Sequence, residues 1–560
     1  MPSPLAFFKK AFSSKDETDY TDVIVPMPVE HKLQDNEKAA DSGSISSNDA
    51  VSLSIANLRD GILSDIGHDG HDTPYDRKSR VINKALSDMG MGRYQWELFI
   101  LCGFGWLADN LWLQGVALTL DPIAAEFGVD SNDVRYTTLA LFVGLCIGAS
   151  FWGVASDVIG RRLAFNSTLC IAGIFGLAAG GAPNWIGVCA LYACVGLGVG
   201  GNLPVDGALF LEFLPFSMNN LLTLLSVWWP VGQLISSLLA WAFIPNFSCD
   251  STAATCAKAD NWGWRYLVLT LGALTFLMFV CRFFIFNLHE SPKFLLSRGR
   301  QSEAVGVVHA IAAYNKQKTW LTEDILNQIG GDPEVAGESH KLSTLEILKR
   351  NLSKFSTKRV GPLFEGWKLA VTTCLLWFIW ATIGMGYPLF NAFLPQYLAQ
   401  NGAGGVTPTN IVYRNYVITS VVGVPGSFIG YYTVNIPYFG RKGSMATATA
   451  ISGIFLFLFT TSTNSGTQLA FSSLEAFFQN IMYGVLYAFT PEVFPAPNRG
   501  TGVGISSFLN RIAGLCAPIV AIHASNASPS APIYAAGGLF LAAFVAMCLL
   551  PLETRGRQSL

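Results

Sequence analysis

Long apolar runs separated by short polar breaks organise this chain. They fall at 96–120, 136–155, 163–182, 185–208, 221–244 and 265–288, and again at 369–396, 416–435, 443–461, 469–489, 501–523 and 532–550. A helix needs about 20 apolar residues to cross the hydrocarbon core of a bilayer. Helices also satisfy their own backbone where lipid offers no hydrogen-bond partner. The pattern therefore predicts twelve transmembrane helices, six on either side of a long polar interval. Gly196, Gly198, Gly200, Gly201, Pro204 and Pro230 inside these runs are compatible with spanning, because small residues let helices pack closely and kinks are tolerated there.

The polar stretches divide the rest. Residues 1–79 are rich in Ser, Asp and Lys and poor in aromatics, the composition of a disordered cytosolic tail. The apolar patch Leu5 to Phe8 is too short for a signal sequence. The domains expected are this tail, a first six-helix bundle over 80–288, a cytosolic linker with short helices over 289–368, a second bundle over 369–551, and a short cytosolic tail over 552–560. Within the linker, Ala304, Val307, Val308 and Ile311 recur at helical spacing after Ser302 and Glu303. That pattern predicts a helix lying against the inner face of the membrane bundle.

The two sets of spans carry matching punctuation. Gly153-Val154-Ala155-Ser156-Asp157-Val158-Ile159-Gly160-Arg161-Arg162 joins spans 2 and 3, and the weaker Asn435-Ile436-Pro437-Tyr438-Phe439-Gly440-Arg441-Lys442 joins spans 8 and 9. Gly160 and Gly440 lie 280 residues apart, and so do Glu212 and Glu492, which open Glu212-Phe213-Leu214-Pro215 and Glu492-Val493-Phe494-Pro495. A duplicated set of membrane helices suits a carrier whose halves rock about a central site.

Composition agrees with lipid as the solvent. Charged residues make up 13% of the 560, where a soluble protein carries about a quarter. The formal net charge of −2 gives no case for a nucleic-acid partner. Of the 36 Lys and Arg, 11 precede the first span and 12 lie in 289–368. Arg161, Arg162, Arg441, Lys442, Arg499, Arg555 and Arg557 share their side if both termini are cytoplasmic, and only Arg135, Lys258, Arg265 and Arg414 fall opposite. Most cysteines are scattered singly through apolar runs, but Cys249 and Cys256 share a polar loop, where a disulfide or two free thiols are both open. There is no Cys pair or His/Cys cluster at metal-ligand spacing, so no metal site is expected.

Over roughly 90–560 the chain resembles the major facilitator superfamily. The loop Gly153…Asp157…Gly160-Arg161-Arg162 is similar to that family's loop between helices 2 and 3, with Val158 where a basic residue is usual. Glu290-Ser291-Pro292, Glu492-Val493-Phe494-Pro495 with Arg499-Gly500-Thr501-Gly502, and Pro551-Leu552-Glu553-Thr554-Arg555-Gly556 resemble its sugar-porter-like branch. Gly90-Met91-Gly92-Arg93 and Gly105-Trp106-Leu107-Ala108-Asp109 resemble synaptic-vesicle-related transporters and their fungal relatives. Tyr192 stands where the family places a basic residue, and the paired glutamines of hexose porters are missing from span 7. The resemblance implies an all-α polytopic membrane protein of twelve helices in two pseudo-symmetric bundles.

Several interior polar residues are candidates for chemistry. Asp109 sits midway along span 1, and a membrane carboxylate costs roughly 2.5–3.5 kcal/mol on insertion scales, so it faces a cavity and works. It is read as the proton-coupling group or a substrate contact, against a packing bond to span 4 or 5. Glu475 opens a polar stripe with Gln479, Asn480 and Tyr483 on span 10. Arg511 on span 11 needs a partner, for which Asp109, Glu475 or an anionic solute could serve. Asn391 on span 7 and Gln233 on span 5 are further ligands; Asp206 is a structural link or a contact, Trp228 and Trp229 are a cavity wall or packing, and Arg282 snorkels to the interface. Gly153, Asp157, Gly160, Arg161, Arg162, Glu212, Gly440, Arg441, Glu492, Arg499 and Glu553 form an inner gate whose ion pairs hold one half against the other.

The expectation is a carrier, not an enzyme: proton-coupled symport of a small polar organic solute, an organic acid or sugar-like metabolite, by alternating access. It needs no cofactor beyond the proton gradient. Its partners are substrate, protons and the bilayer, and it works as a monomer in the plasma membrane, with the vacuolar membrane as the other choice. An uncoupled facilitator or exporter, for instance of an organic cation, and a transport-dead receptor are the rivals.

Overall fold

A computed structural model describes residues 21–26, 74–215, 218, 221–249, 256–331, 360–401, 407–434, 436, 440–494 and 499–553. These divide between two compact units. The smaller takes the described residues up to Tyr94 and those from Leu295 through Gly331, and the larger takes the rest.

The larger unit is built from twelve long helices. They are α1 (Arg93–Phe127), α2 (Tyr136–Ile159), α3 (Arg161–Ala179), α4 (Trp185–Phe213), α5 (Leu221–Phe247) and α6 (Gly263–Ile285). The second set is α7 (Trp367–Asn391), α8 (Thr409–Thr433), α9 (Gly440–Thr461), α10 (Ser465–Val493), α11 (Arg499–Ser525) and α12 (Ala531–Leu549). Each predicted span lies on one of them. The two sets form pseudo-symmetric bundles with mirrored neighbours: α2 packs on α4 as α8 packs on α10, and α3 packs on α6 as α9 packs on α12.

Nine of these helices are long and apolar enough to cross a membrane by length and composition alone. The other three are α1, α8 and α10, which have the length but carry more polar side chains. Buried on them are Asp109, Asn110 and Gln114, then Asn415, Thr419 and Ser420, then Glu475 and Gln479. Helices that face protein on most sides do not need a lipid-like composition, so the shortfall in apolar character marks where the polar interior lies.

Small residues set the closest crossing. A Cβ built on Gly144 would meet the backbone carbonyl of Ala193, and one on Gly196 would meet that of Leu141, so α2 and α4 touch backbone to backbone. Gly196→Ala is expected to cost about 1–3 kcal/mol by overpacking. Gly207→Ala is the control, since a Cβ there meets nothing. Melting curves of the two variants in detergent check this: equal midpoints would contradict the crossing.

In the smaller unit, helix Pro74–Met89 starts inside the stretch expected to be disordered tail, and Thr21–Val23 form a short turn followed by an Ile24–Thr319 bridge. The rest of residues 1–79 lies outside the described residues. The predicted linker helix is found as Gln301–Asn315, burying Ala304, Val308 and Ile311. Lys78 Nζ donates to Gln301 Oε1 (2.6 Å), whose amide donates to Asn327 Oδ1 on the helix Glu323–Gly330 (2.7 Å).

Candidate functional site

The loops with the repeated motif sit at one end of the larger unit, called here the signature end. Gly160 (φ 107°) and Gly440 (φ 62°) take backbone angles that suit glycine, turning the chain into α3 and α9. At α3 the exposed N–H groups are capped from a distance in sequence. Glu290 Oε1 accepts from the backbone N–H of Arg161 (2.9 Å) and Arg162 (3.3 Å). At α9, Glu553 accepts from Arg441 N–H (3.2 Å, Oε1) and Lys442 N–H (3.0 Å, Oε2). Burial pushes the Glu290 carboxyl up, opposed by its bonds from Ser291, Arg162 and Arg161, and burial pulls the nearby Lys293 ammonium down.

The side-chain pairs repeat as well. Arg161 pairs with Asp157 (2.5 Å) and Glu212 (3.4 Å) and donates to Ser156 Oγ (2.6 Å). Arg441 pairs with Glu492. Every one of these bonds stays within its own six-helix bundle. The ion pairs named here thus tie neighbouring helices of one half together, where pairs joining the two halves were expected. Gly153 lies on α2, where a Cβ meets nothing. The Arg499 side chain and most of the loop 435–439 lie outside the described residues.

The polar interior begins at Asp109, which is 2% exposed. Its Oδ2 accepts from the indole N–H of Trp229 on α5 (3.0 Å). Arg511, from the opposite half, interacts electrostatically with Asp109 and donates to the carbonyl of Gly200 on α4 (3.3 Å). Opposite charges from the two bundles thus lie within electrostatic range of one another near the middle, with no direct ion pair between them. On the signature side of Asp109, rings from both halves pack on one another. Trp106 meets Tyr487 (centroids 5.2 Å), Trp229 meets Tyr483 (5.2 Å), and Trp380 meets Tyr487 (4.9 Å). At these separations the rings fill the space between the halves.

On the other side of Asp109 a hydrogen-bond network crosses between bundles. Gln114 on α1 donates to Tyr387 OH on α7 (2.8 Å), which donates to Asn110 Oδ1 (3.0 Å). Tyr416 OH on α8 donates to Gln114 Oε1 and also bonds the Gln233 side chain. Asn391 donates to Gln479 Oε1 (3.2 Å), and Gln479 donates to Glu475 Oε1 (2.7 Å). Farther along, Arg135 ties the halves at the end opposite the signature loops. It donates to Gln396 Oε1 (2.8 Å), the carbonyl of Ala521 (3.0 Å) and Ser525 Oγ (2.6 Å), and lies over the Phe393 ring.

The structure thus gathers Asp109, Arg511, Asn391, Gln233 and Glu475 into one interior. Asn480 leaves the expected stripe, donating to the Ala476 carbonyl of its own helix (2.8 Å). Arg282 does not snorkel. It is 1% exposed and pairs with Asp206 at 2.6 Å, donates to the carbonyls of Leu101 and Phe165, and stacks on the Phe165 ring. Asp206 is accordingly a structural link within the first half. Cys249 and Cys256 are joined as a disulfide. Sequence reasoning missed Tyr387, Tyr416, Gln114 and Arg135, whose types are ordinary in such helices. It also left Glu290 out of the gate, although Glu290-Ser291 and Glu553-Thr554 close the two halves alike.

Twelve helices in two like bundles, with a buried polar interior between them, suit a membrane carrier. The family model described as Major Facilitator Superfamily matches residues 99–437 and 415–559, and the chain belongs to that family of carriers, which are not enzymes. It is 46% identical over 496 residues to "MFS siderochrome iron transporter 1" of Ceriporiopsis subvermispora, covering 88% of this chain and 94% of that one. It is 26% identical over 495 residues to "Synaptic vesicle 2-related protein" of Rattus norvegicus, covering 85% and 82%. The xylose transporter XylE from E. coli, in a partially occluded inward-open conformation, shares the fold with a TM-score of 0.61 at 16% identity, over 83% of this chain and 99% of that one.

Proposed function

We propose that this carrier moves a small polar organic solute together with a proton by alternating access, with the signature end cytoplasmic and the plasma membrane as its site. The observation that carries the reading is the buried Asp109, held by the Trp229 N–H and within electrostatic range of Arg511, a base from the other half that bonds the Gly200 carbonyl. A proton placed on Asp109 removes the charge that holds Arg511 and weakens the acceptor of the Trp229 N–H. Both changes loosen contacts between halves: the first at α11 against α1 and α4, the second at the ring cluster that Trp229 forms with Tyr483 and Tyr487. The proton gradient biases such a two-state equilibrium through its different affinity for the two states. The lysine and arginine distribution supports the orientation.

The solute does not follow from the relatives. One relative reported above is named a siderochrome iron transporter and XylE is a xylose transporter, so neither an organic acid nor a sugar is favoured here. The test is uptake into proteoliposomes of a panel of labelled sugars, organic acids and amines, with and without an inward proton gradient. Accumulation above the external concentration only when the gradient is present supports the reading. Equal uptake in both conditions makes the protein a facilitator instead.

A further inference from the structure

We propose that the carried solute is an organic cation and that Glu475 is the carboxylate that receives its charged nitrogen; this rests on the transport reading above and names its substrate class. Glu475 is 1% exposed. Its Oε1 accepts from Gln479, while its Oε2 is buried and accepts no hydrogen bond. Among the described buried acids of the membrane helices, Asp206 pairs with Arg282 at 2.6 Å, Glu126 pairs with Arg265 at 2.6 Å, and Asp109 lies within electrostatic range of Arg511. Glu475 alone among these acids has no such base, so its interior is one positive charge short when the carboxylate is ionised. A buried carboxylate in that position takes up a cation.

The surroundings specify what kind. Beyond Gln479, Asn391 bonds that amide (3.2 Å) and its own carbonyl accepts from Tyr416 OH (3.4 Å), while Tyr483 lies about two turns along α10 from Glu475. Tyr387 and Tyr483 pack edge to face at 5.6 Å. Aromatic rings in the same interior as a carboxylate suit an ammonium carried on an organic body, which gains from ring quadrupoles as well as from the charge. Transfer of a bare proton to Glu475 uses none of these rings. About one turn along α10, toward the end opposite the signature loops, Ser472 lines a small cavity with Thr419, Asn415 and Gln468. The ring pair and the Gln114–Tyr387 and Gln114–Tyr416 bonds separate Glu475 from Asp109, so a bound amine reports on the contacts that must break when the halves part.

The experiment measures binding in detergent to the purified full chain, with no gradient, by thermal shift and competition. The probes are choline against its uncharged isostere 3,3-dimethyl-1-butanol, and tyramine against tyrosol. At least one amine is expected to stabilise the protein where its isostere does not, and Glu475→Gln is expected to weaken that amine about ten-fold or more, the loss of one charge-assisted bond. Glu475→Asp keeps the charge and is expected to retain part of the affinity, which guards against a variant that merely folds poorly. The proposal is overturned if neither amine outperforms its isostere. It is also overturned if Glu475→Gln binds the amine as wild type does while losing gradient-driven uptake, which would make Glu475 a proton carrier. Gradient-driven uptake of an anion, unchanged in Glu475→Gln, would sink this substrate class and leave the transport reading standing. Amine binding with no movement of amine across liposomes would do the reverse.

Discussion

Asp109→Asn is expected to abolish proton-driven accumulation in proteoliposomes while leaving the protein folded. The amide keeps the size of the side chain and still offers an oxygen to the Trp229 N–H at about the present 3.0 Å. What it loses is the charge and the site for a proton. Without the charge, Arg511 keeps only its bond to the Gly200 carbonyl across the interface, so the halves lose an attraction that wild type switches on and off. Uptake down a concentration gradient is therefore expected to persist at some rate, while uptake against one falls to background. The variant separates coupling from binding. If Asp109→Asn accumulates solute to the wild-type level under the same gradient, the coupling role is wrong. If Arg511→Gln gives the same uncoupled phenotype, the pair acts as one device; an unaffected Arg511→Gln would assign the work to Asp109 and Trp229 alone.

The second large effect is expected from Arg282→Leu. Both members of the Asp206–Arg282 pair are 0% exposed at their side chains. Removing the base leaves Asp206 ionised and unmatched, or protonated at a cost. Breaking a buried pair from one side destabilises by about 3–5 kcal/mol. The loss reaches further, because Arg282 also satisfies the carbonyls of Leu101 on α1 and Phe165 on α3, tying three helices of the first half. Arg282→Leu is expected to yield little folded protein and a melting midpoint well below wild type. Adding Asp206→Asn to it removes the orphaned charge and is expected to recover part of the loss, since the stranded carboxylate is the larger penalty. A single Arg282→Leu variant as stable as wild type would show that the pair is not the tie described here.

Much of the architecture was legible because it is written in periodic features. Twelve apolar runs, a repeat offset of 280 residues and two glycine turns at Gly160 and Gly440 are properties of neighbouring residues, and the helices follow them. The interior acids were legible for a different reason: Asp109 and Glu475 are conspicuous in apolar surroundings. What was hidden was pairing across distance. Arg161 and Arg441 are close in sequence to a gate, but whether their partners lie in the same half or the opposite one depends on how the helices are arranged. The partners seen for Arg161 are Asp157 and Glu212, and for Arg441 Glu492, each in its own half. Arg282 looked like a residue free to reach the interface, since snorkelling depends only on depth; its partner Asp206 lies 76 residues earlier. Tyr387, Tyr416 and Arg135 carry no local signal, because a tyrosine in a membrane helix or an arginine in a loop is ordinary until its neighbour is known.

The bonds between halves differ in kind along the carrier. At the signature end the ion pairs described for Arg161 and Arg441 lie within their own halves. In the middle an electrostatic interaction, a ring cluster and a network of amides and phenols cross the interface. At the opposite end the guanidinium of Arg135 makes bonds to α11 and to Gln396, just beyond α7. Such a distribution leaves rigid halves joined by contacts that can be released, which is what a rocking exchange requires.

The distance between the halves at the Arg135 end tests this account most directly. Spin labels at exposed Asp133, beside Arg135, and exposed Ser528, just past α11, report it by pulsed electron paramagnetic resonance in lipid nanodiscs. Wild type is expected to show a short separation as its main population, and Asp109→Asn a second, longer one, because loss of the charge lets the halves part. One unchanged separation in both proteins would mean that the charge on Asp109 does not govern the position of the halves.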